Sequence, residues 1–201
     1  MTIARDRLKL SEFTPLAHEL ETVRLLSELK CRFAIDNTGS VVKLYVWQKL
    51  IDQHIRLVLA LPNLQFFSSV NLLPSSAGIT DEGLAELLTN PNLKEIFCQG
   101  HERLNGSFLG GLKQGASVTR IGVPYCPIED AGLALAENFT LTHLSVRGSQ
   151  ISDASIEALC SMNLLAQIHV KETHVTSLGL ERLKQSLPNC WIDAVHRPND
   201  G

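Results

Sequence analysis

Aromatic side chains are scarce in this chain of 201 residues: two Trp, two Tyr and seven Phe make up 5% of it. Any surface that gathers several of them is therefore informative. The five cysteines are an odd number without CxxC spacing, which argues against a disulfide framework and a zinc ribbon. No apolar run reaches the roughly 18 residues of a membrane span, and the opening "MTIARDRLKLSEFTPLAHEL" lacks a signal peptide's apolar segment. The expectation is a soluble, cytoplasmic protein with no membrane contact. Excess charge is missing too: 18 basic against 21 acidic residues leave −3, too little for a dedicated polyanion binder. A phosphate loop is absent, since "SFLGGLKQG" has glycines but not GxxxxGK[ST]. Its place in the chain predicts a weakened, irregular helix instead.

What the chain does have is a period, and 44% hydrophobic residues are enough to bury a core around it. The pattern apolar-x-x-apolar-x-apolar, with another apolar residue five positions on, recurs four times in close register. It reads Leu93, Ile96, Cys98 and (one residue late) Leu104, then Val118, Ile121, Val123 and Ile128. Next come Leu141, Leu144, Val146 and Ile151, then Leu165, Ile168, Val170 and Val175. The steps are 25 (93 to 118), 23 (118 to 141) and 24 (141 to 165). Two weaker copies lie upstream: Val41, Leu44, Val46, Ile51 and Leu64, Phe67, Ser69, Ile79, the second stretched by "VNLLPSSAG". That insertion is expected to be the most irregular connection.

The second half of each unit repeats as "IDQHIRLVL", "TDEGLAELL", "EDAGLALA", "SDASIEAL" and "TSLGLERL". Leu84 and Leu87, Leu133 and Ala136, Ile156 and Leu159, and Leu180 and Leu183 keep the i, i+3 step of a helix. Each unit is therefore a short strand, a loop and a helix of two to three turns. Upstream, Leu16, Leu20, Val23, Leu26 and Leu29 keep helical steps, which predicts an N-terminal capping helix over 15–31. Trp191 to Val195 is expected to cover the other end.

Across roughly residues 41 to 195 these units resemble the leucine-rich repeat family. The unit length and the helices are most similar to its ribonuclease-inhibitor-like or cysteine-containing subclasses, and "LKQSLPNCWI" resembles the close of small bacterial members. The family's ninth position, usually Asn or Cys, is His101, Cys126, Ser149 and Thr173 here. The resemblance implies an α/β fold: a right-handed solenoid with parallel strands on the concave side and helices on the convex side. Strands stack about 4.8 Å apart whereas helices need about 8–10 Å, so the array must curve. The domain reading is an N-terminal segment with the capping helix (1–40), an array of about six repeats (41–195) and a tail (196–201).

Several residues invite chemistry and have plainer explanations. Asp52, Asp81, Asp130 and Asp153, with Ser177, stand in one column just before each helix, where a side-chain oxygen caps orphan N–H groups. Cys98-x-x-His101 with Cys126 hints at metal ligands, but no fourth ligand is in sight and His143 belongs to the strand face. A Cys–His nucleophile would need an orienting group that nothing supplies. No cofactor, metal or catalytic activity is expected.

Side chains alternate along a strand, so those between the core leucines face the concavity. The outward columns read Lys43, Tyr45, Trp47; Phe66, Ser68, Val70; Glu95, Phe97, Gln99; Arg120, Gly122, Pro124; His143, Ser145, Arg147; and Gln167, His169, Lys171. One end is aromatic and the other cationic. Tyr45 and Trp47 are half of the chain's Tyr and Trp, at positions folding does not require unless the N-terminal helix or the insertion covers them. Tyr, Trp and Arg dominate protein–protein hot spots. The expected function is binding of a protein or peptide, with an acidic partner for the cations, through Tyr45, Trp47, Phe66, Phe97, Arg120, His143, Arg147, His169 and Lys171. Two other readings stand beside it: a polyanion or nucleic-acid binder, disfavoured by too few cations that do not interleave with the aromatics, and a recognition adaptor of a larger enzyme complex. The sequence is silent on oligomeric state.

Overall fold

The computed structural model describes residues 15–47, 50–71, 78–112, 117–136 and 140–194. Its strands form one sheet in chain order. They are β1 (Arg32–Ile35), β2 (Val41–Val46), β3 (Phe66–Val70), β4 (Glu95–Gln99), β5 (Arg120–Gly122), β6 (His143–Ser145), β7 (Gln167–His169) and β8 (Trp191–Asp193). From β2 to β8 every pairing is parallel, as the repeat requires. The sheet is longer than the six strands expected. β8 joins as one more parallel strand, while β1 pairs antiparallel with β2.

That antiparallel start lies inside the stretch read as the N-terminal segment. Its cause is local: "DNTGS" is a turn in which the Asp36 carboxylate accepts the N–H groups of Thr38 and Ser40 and Gly39 takes φ of 89°. A chain turned back so tightly pairs with itself.

The helices are α1 (Leu20–Glu28), α2 (Asp52–Leu59), α3 (Asp81–Leu87), α4 (Asp130–Ala134), α5 (Ile156–Ser161) and α6 (Ser177–Ser186). Some are shorter than expected; α4 has only 5 residues. The glycine-weakened "SFLGGLKQG" starts as a 3-10 helix, Ser107–Gly111, in line with its sequence. Residues 72–77 of the insertion lie outside the described residues. Register partners Leu44, Phe67, Ile96, Ile121, Leu144 and Ile168 form one buried row across the sheet. Each row member packs against its neighbours, so burial of this row exists only once units are stacked.

The aspartate column does something other than capping its own helices. Asp52, Asp81 and Asp130 are the first residues of α2, α3 and α4, and the side chains that cap are Thr80, Ser152 and Thr176. Each carboxylate reaches sideways into the following unit. Asp52 accepts the Thr80 N–H at 2.9 Å and its hydroxyl at 2.8 Å, and Asp153 treats Thr176 the same way at 2.8 and 2.6 Å. Asp81 accepts three N–H groups, from Asn105, Gly106 and Phe108. The held Thr or Ser then caps its own helix, as Thr80 does by accepting the Gly83 N–H at 3.3 Å. One acid thus fixes the next helix start, which ties neighbouring units as well as ending orphan donors.

Candidate functional site

Tyr45, Phe66, Phe97, Arg120, His143 and His169 alternate with the buried row along the strands, and Trp47, Arg147 and Lys171 follow just past the strand ends. The structure places them in three groups.

At the N-terminal end Tyr45 stacks on Trp47, with ring centroids 5.9 Å apart, and meets Phe66 at 5.1 Å. Trp47 is 47% exposed, and Tyr45 and Phe66 are half-buried. The rings cover one another and remain reachable. Two cations lie on them: the Arg32 guanidinium is 5.3 Å from the Trp47 ring centre and the Lys43 ammonium 6.0 Å from that of Phe66. Arg32 was not legible as a face residue, because its placement opposite Tyr45 depends on the hairpin.

In the middle Phe97 folds down onto the next strand. A Cβ added to Gly122 would stand 2.8 Å from the Phe97 ring, so the glycine is what allows the ring to lie there. Beside it Arg120, His143, Ser145, Gln167 and His169 line a shallow depression of about 150 Å³. Glu95 stands 3.8 Å from Arg120. Partial burial, together with the nearby Arg120 and His169 charges, holds His143 below its ordinary pKa, against a smaller opposing pull from Glu95. His143 therefore takes up its proton at a lower pH than an ordinary histidine.

The C-terminal end corrects the charge reading most. Arg147 and Lys171 do not stand together in want of an anion. Strands β6 and β7 end before them, and each meets its own carboxylate in the turn or on the next strand. Arg147 forms an ion pair with Glu172, its Nε donating at 3.0 Å, and Lys171 reaches Asp193 at 2.6 Å. His169 also bonds Asp193 through Nδ1 at 3.0 Å and Gln167 through Nε2 at 2.6 Å, with Trp191 edge-on at 5.2 Å. Asp193 and Trp191 come from β8, which was read as an end cover.

The turns after β4, β5, β6 and β7 repeat a left-handed residue: Gly100, Tyr125, Gly148 and Glu172, with φ of 70°, 58°, 70° and 60°. Two units thus hold a side chain where glycine is unstrained. Tyr125 lies over Gly148, carries the Arg147 guanidinium 5.3 Å from its ring centre and is 44% exposed. Aligning the last four units would have found this column, since Tyr125 and Glu172 occupy the place that is Gly100 and Gly148 in the other two.

The cysteine–histidine group is interior packing. His101 and Cys126 reach back to the strand of the preceding unit, His101 Nε2 to the Ser69 carbonyl at 3.3 Å and Cys126 Sγ to that of Cys98 at 3.3 Å. Burial pushes the Cys126 thiol up to about 12 and Cys98 well above its ordinary value. Such thiols are poor ligands and nucleophiles. No cluster of three or more His, Cys, Asp or Glu side chains suited to a metal occurs among the described residues.

Residues 137–160 match the family model described as Leucine Rich repeat, a stretch that holds β6 and most of α5. The match supports a leucine-rich repeat protein. Proteins of this kind usually bind other proteins and are typically non-catalytic. No curated protein matches the chain. Among the described residues no helix is long and apolar enough to cross a membrane.

Proposed function

We propose that this is a non-catalytic cytoplasmic scaffold that binds a protein or peptide across the concave face of a right-handed leucine-rich repeat solenoid. Its units are of the ribonuclease-inhibitor-like, cysteine-containing kind, and α1 within the N-terminal segment caps the array that ends near residue 195. The observation that carries the reading is the stacked Tyr45–Trp47 pair with Phe66: a chain poor in aromatics sets half its Tyr and Trp on one reachable end of the open face. Large flat side chains there lower solubility unless something covers them, and these residue types anchor interfaces. Cations farther along the face are matched by Glu95, Glu172 and Asp193, which disfavours a polyanion track. The test is affinity capture with the intact protein against a Trp47→Ala, Phe97→Ala variant of unchanged thermal stability. Loss of the captured partner is expected. Undiminished capture would move binding off this face.

A further inference from the structure

We infer that the aromatic end of the open face seats an acidic peptide segment bearing an apolar side chain, with Arg32 and Lys43 receiving its carboxylates. This rests on the concave-face reading and names the partner's chemistry. Five cations stand along the described open face and its rim. Arg120, Arg147 and Lys171 each have a carboxylate, from Glu95, Glu172 and Asp193. Arg32 and Lys43 are exposed, and among the described residues neither forms an ion pair; what they meet are the Trp47 and Phe66 rings. Uncompensated positive charge therefore coincides with the exposed rings, at the end opposite to the one that sequence reading suggests.

The geometry favours an extended acidic chain. Arg32 lies opposite Tyr45 in register, and Lys43 stands two residues before Tyr45 on the same face of β2. Alternate residues of an extended peptide repeat every 6.6–6.8 Å or so, the spacing of Lys43 and Tyr45 themselves. A peptide lying along β2 can thus offer one carboxylate to each cation while a side chain between them rests on the Tyr45–Trp47 stack. A ring face and a carboxylate can share one guanidinium, because its five donors lie at the edge of the plane. A single-stranded nucleic acid would also stack there, but two cations neutralise few phosphates.

The test uses the full chain with Trp191→Phe, so that Trp47 is the sole tryptophan and its fluorescence reports the site. The probe is a synthetic peptide with glutamates on both sides of a Leu-Phe pair, and the control replaces each glutamate by glutamine. The acidic peptide is expected to bind with an affinity that falls steeply with salt. Arg32→Glu with Lys43→Glu should weaken it at least about tenfold, and Arg32→Gln with Lys43→Gln by less, with melting temperatures unchanged. Equal affinity for the glutamine peptide, or none for either, overturns the inference, as does tighter binding of an oligothymidylate. If it is overturned while capture of a cellular partner still depends on Trp47 and Phe97, the concave face binds and only its charge preference is wrong.

Discussion

Asp130 holds Ser152 twice, accepting its N–H at 2.8 Å through Oδ1 and its hydroxyl at 2.7 Å through Oδ2. Ser155 donates to the same carboxylate. Because the acid and its donors belong to successive units, the interaction stabilises an interface and not a single helix. Asp81 is the most committed of the column, buried with three backbone donors. Asp81→Ala is expected to cost at least about 2 kcal/mol, since unpaired buried donors cost about 1–3 kcal/mol each. A simple lost cap would cost about 1 kcal/mol. Urea titration separates the two, and a loss near 1 would mean that solvent replaces the carboxylate.

The same ladder reverses the usual effect of removing a helical glycine. Gly132 in α4 faces backbone of the preceding unit: an added Cβ would stand 2.8 Å from Gly106 Cα and closer still to the Asn105 carbonyl. Gly→Ala within a helix ordinarily gains about 0.5–1 kcal/mol. Here overpacking costs of about 1–3 kcal/mol win, because what must move is backbone. A lowered melting temperature for Gly132→Ala is expected; a raised one would show that the units can slide apart without loss.

Acid should weaken the fold in two steps. Burial holds His101 below its ordinary pKa, its bond to the Ser69 carbonyl opposing more weakly. A histidine whose folded pKa is depressed supports the fold fully above the unfolded value near 6.5 and loses that support as pH falls towards the folded value. Burial alone would raise Asp130, but bonds from Ser152 and Ser155 outweigh it and set the carboxyl below its ordinary value. Its contribution is present above about pH 4 and goes as pH falls through the folded pKa. Stability measured by denaturant against pH should decline first below about 6.5 and again below about 4. Asp130→Asn should flatten the second decline, and an unaltered profile would remove Asp130 from the account.

Much of the fold was legible because the repeat writes it several times. Leu144 and Ile168 are buried as the register demands, and the strand–helix order follows the period. The face residues could be placed from alternation alone. Their partners could not, since Glu172 enters through a left-handed turn, Asp193 through an edge strand and Arg32 through a hairpin. Each of these depends on chain direction outside the periodic segments. The aspartates were found in the right column with the wrong neighbour, because sequence position shows a helix start but not the unit across the interface. Trp47, Tyr45 and Phe66 were legible as a group, while only the structure shows them stacked and reachable.

Leu144→Ala tests the array as a whole. Leu144 is 1% exposed between Ile121 and Ile168 in register. Truncation should cost about 2–5 kcal/mol. Since units gain their stability from neighbours, the transition should stay single or broaden, with the units on both sides affected. A cost below about 1 kcal/mol would contradict the burial of this row.

Tyr125 sets stability against binding. A non-glycine residue at φ of 58° carries strain of about 1–3 kcal/mol. The contact with Arg147 returns about 0.5–1 kcal/mol at an exposed site. Tyr125→Gly is therefore expected to stabilise the protein by up to about 2 kcal/mol, although it removes a large side chain, because glycine already serves this turn at Gly100 and Gly148. If the ring is kept for a partner, capture by the open sheet face should weaken in the same variant, so that melting temperature and binding move in opposite directions. Stability lowered by the change would mean the ring packs more than it strains. Stability raised with capture unaltered would place Tyr125 outside the interface and leave its strain without a functional return.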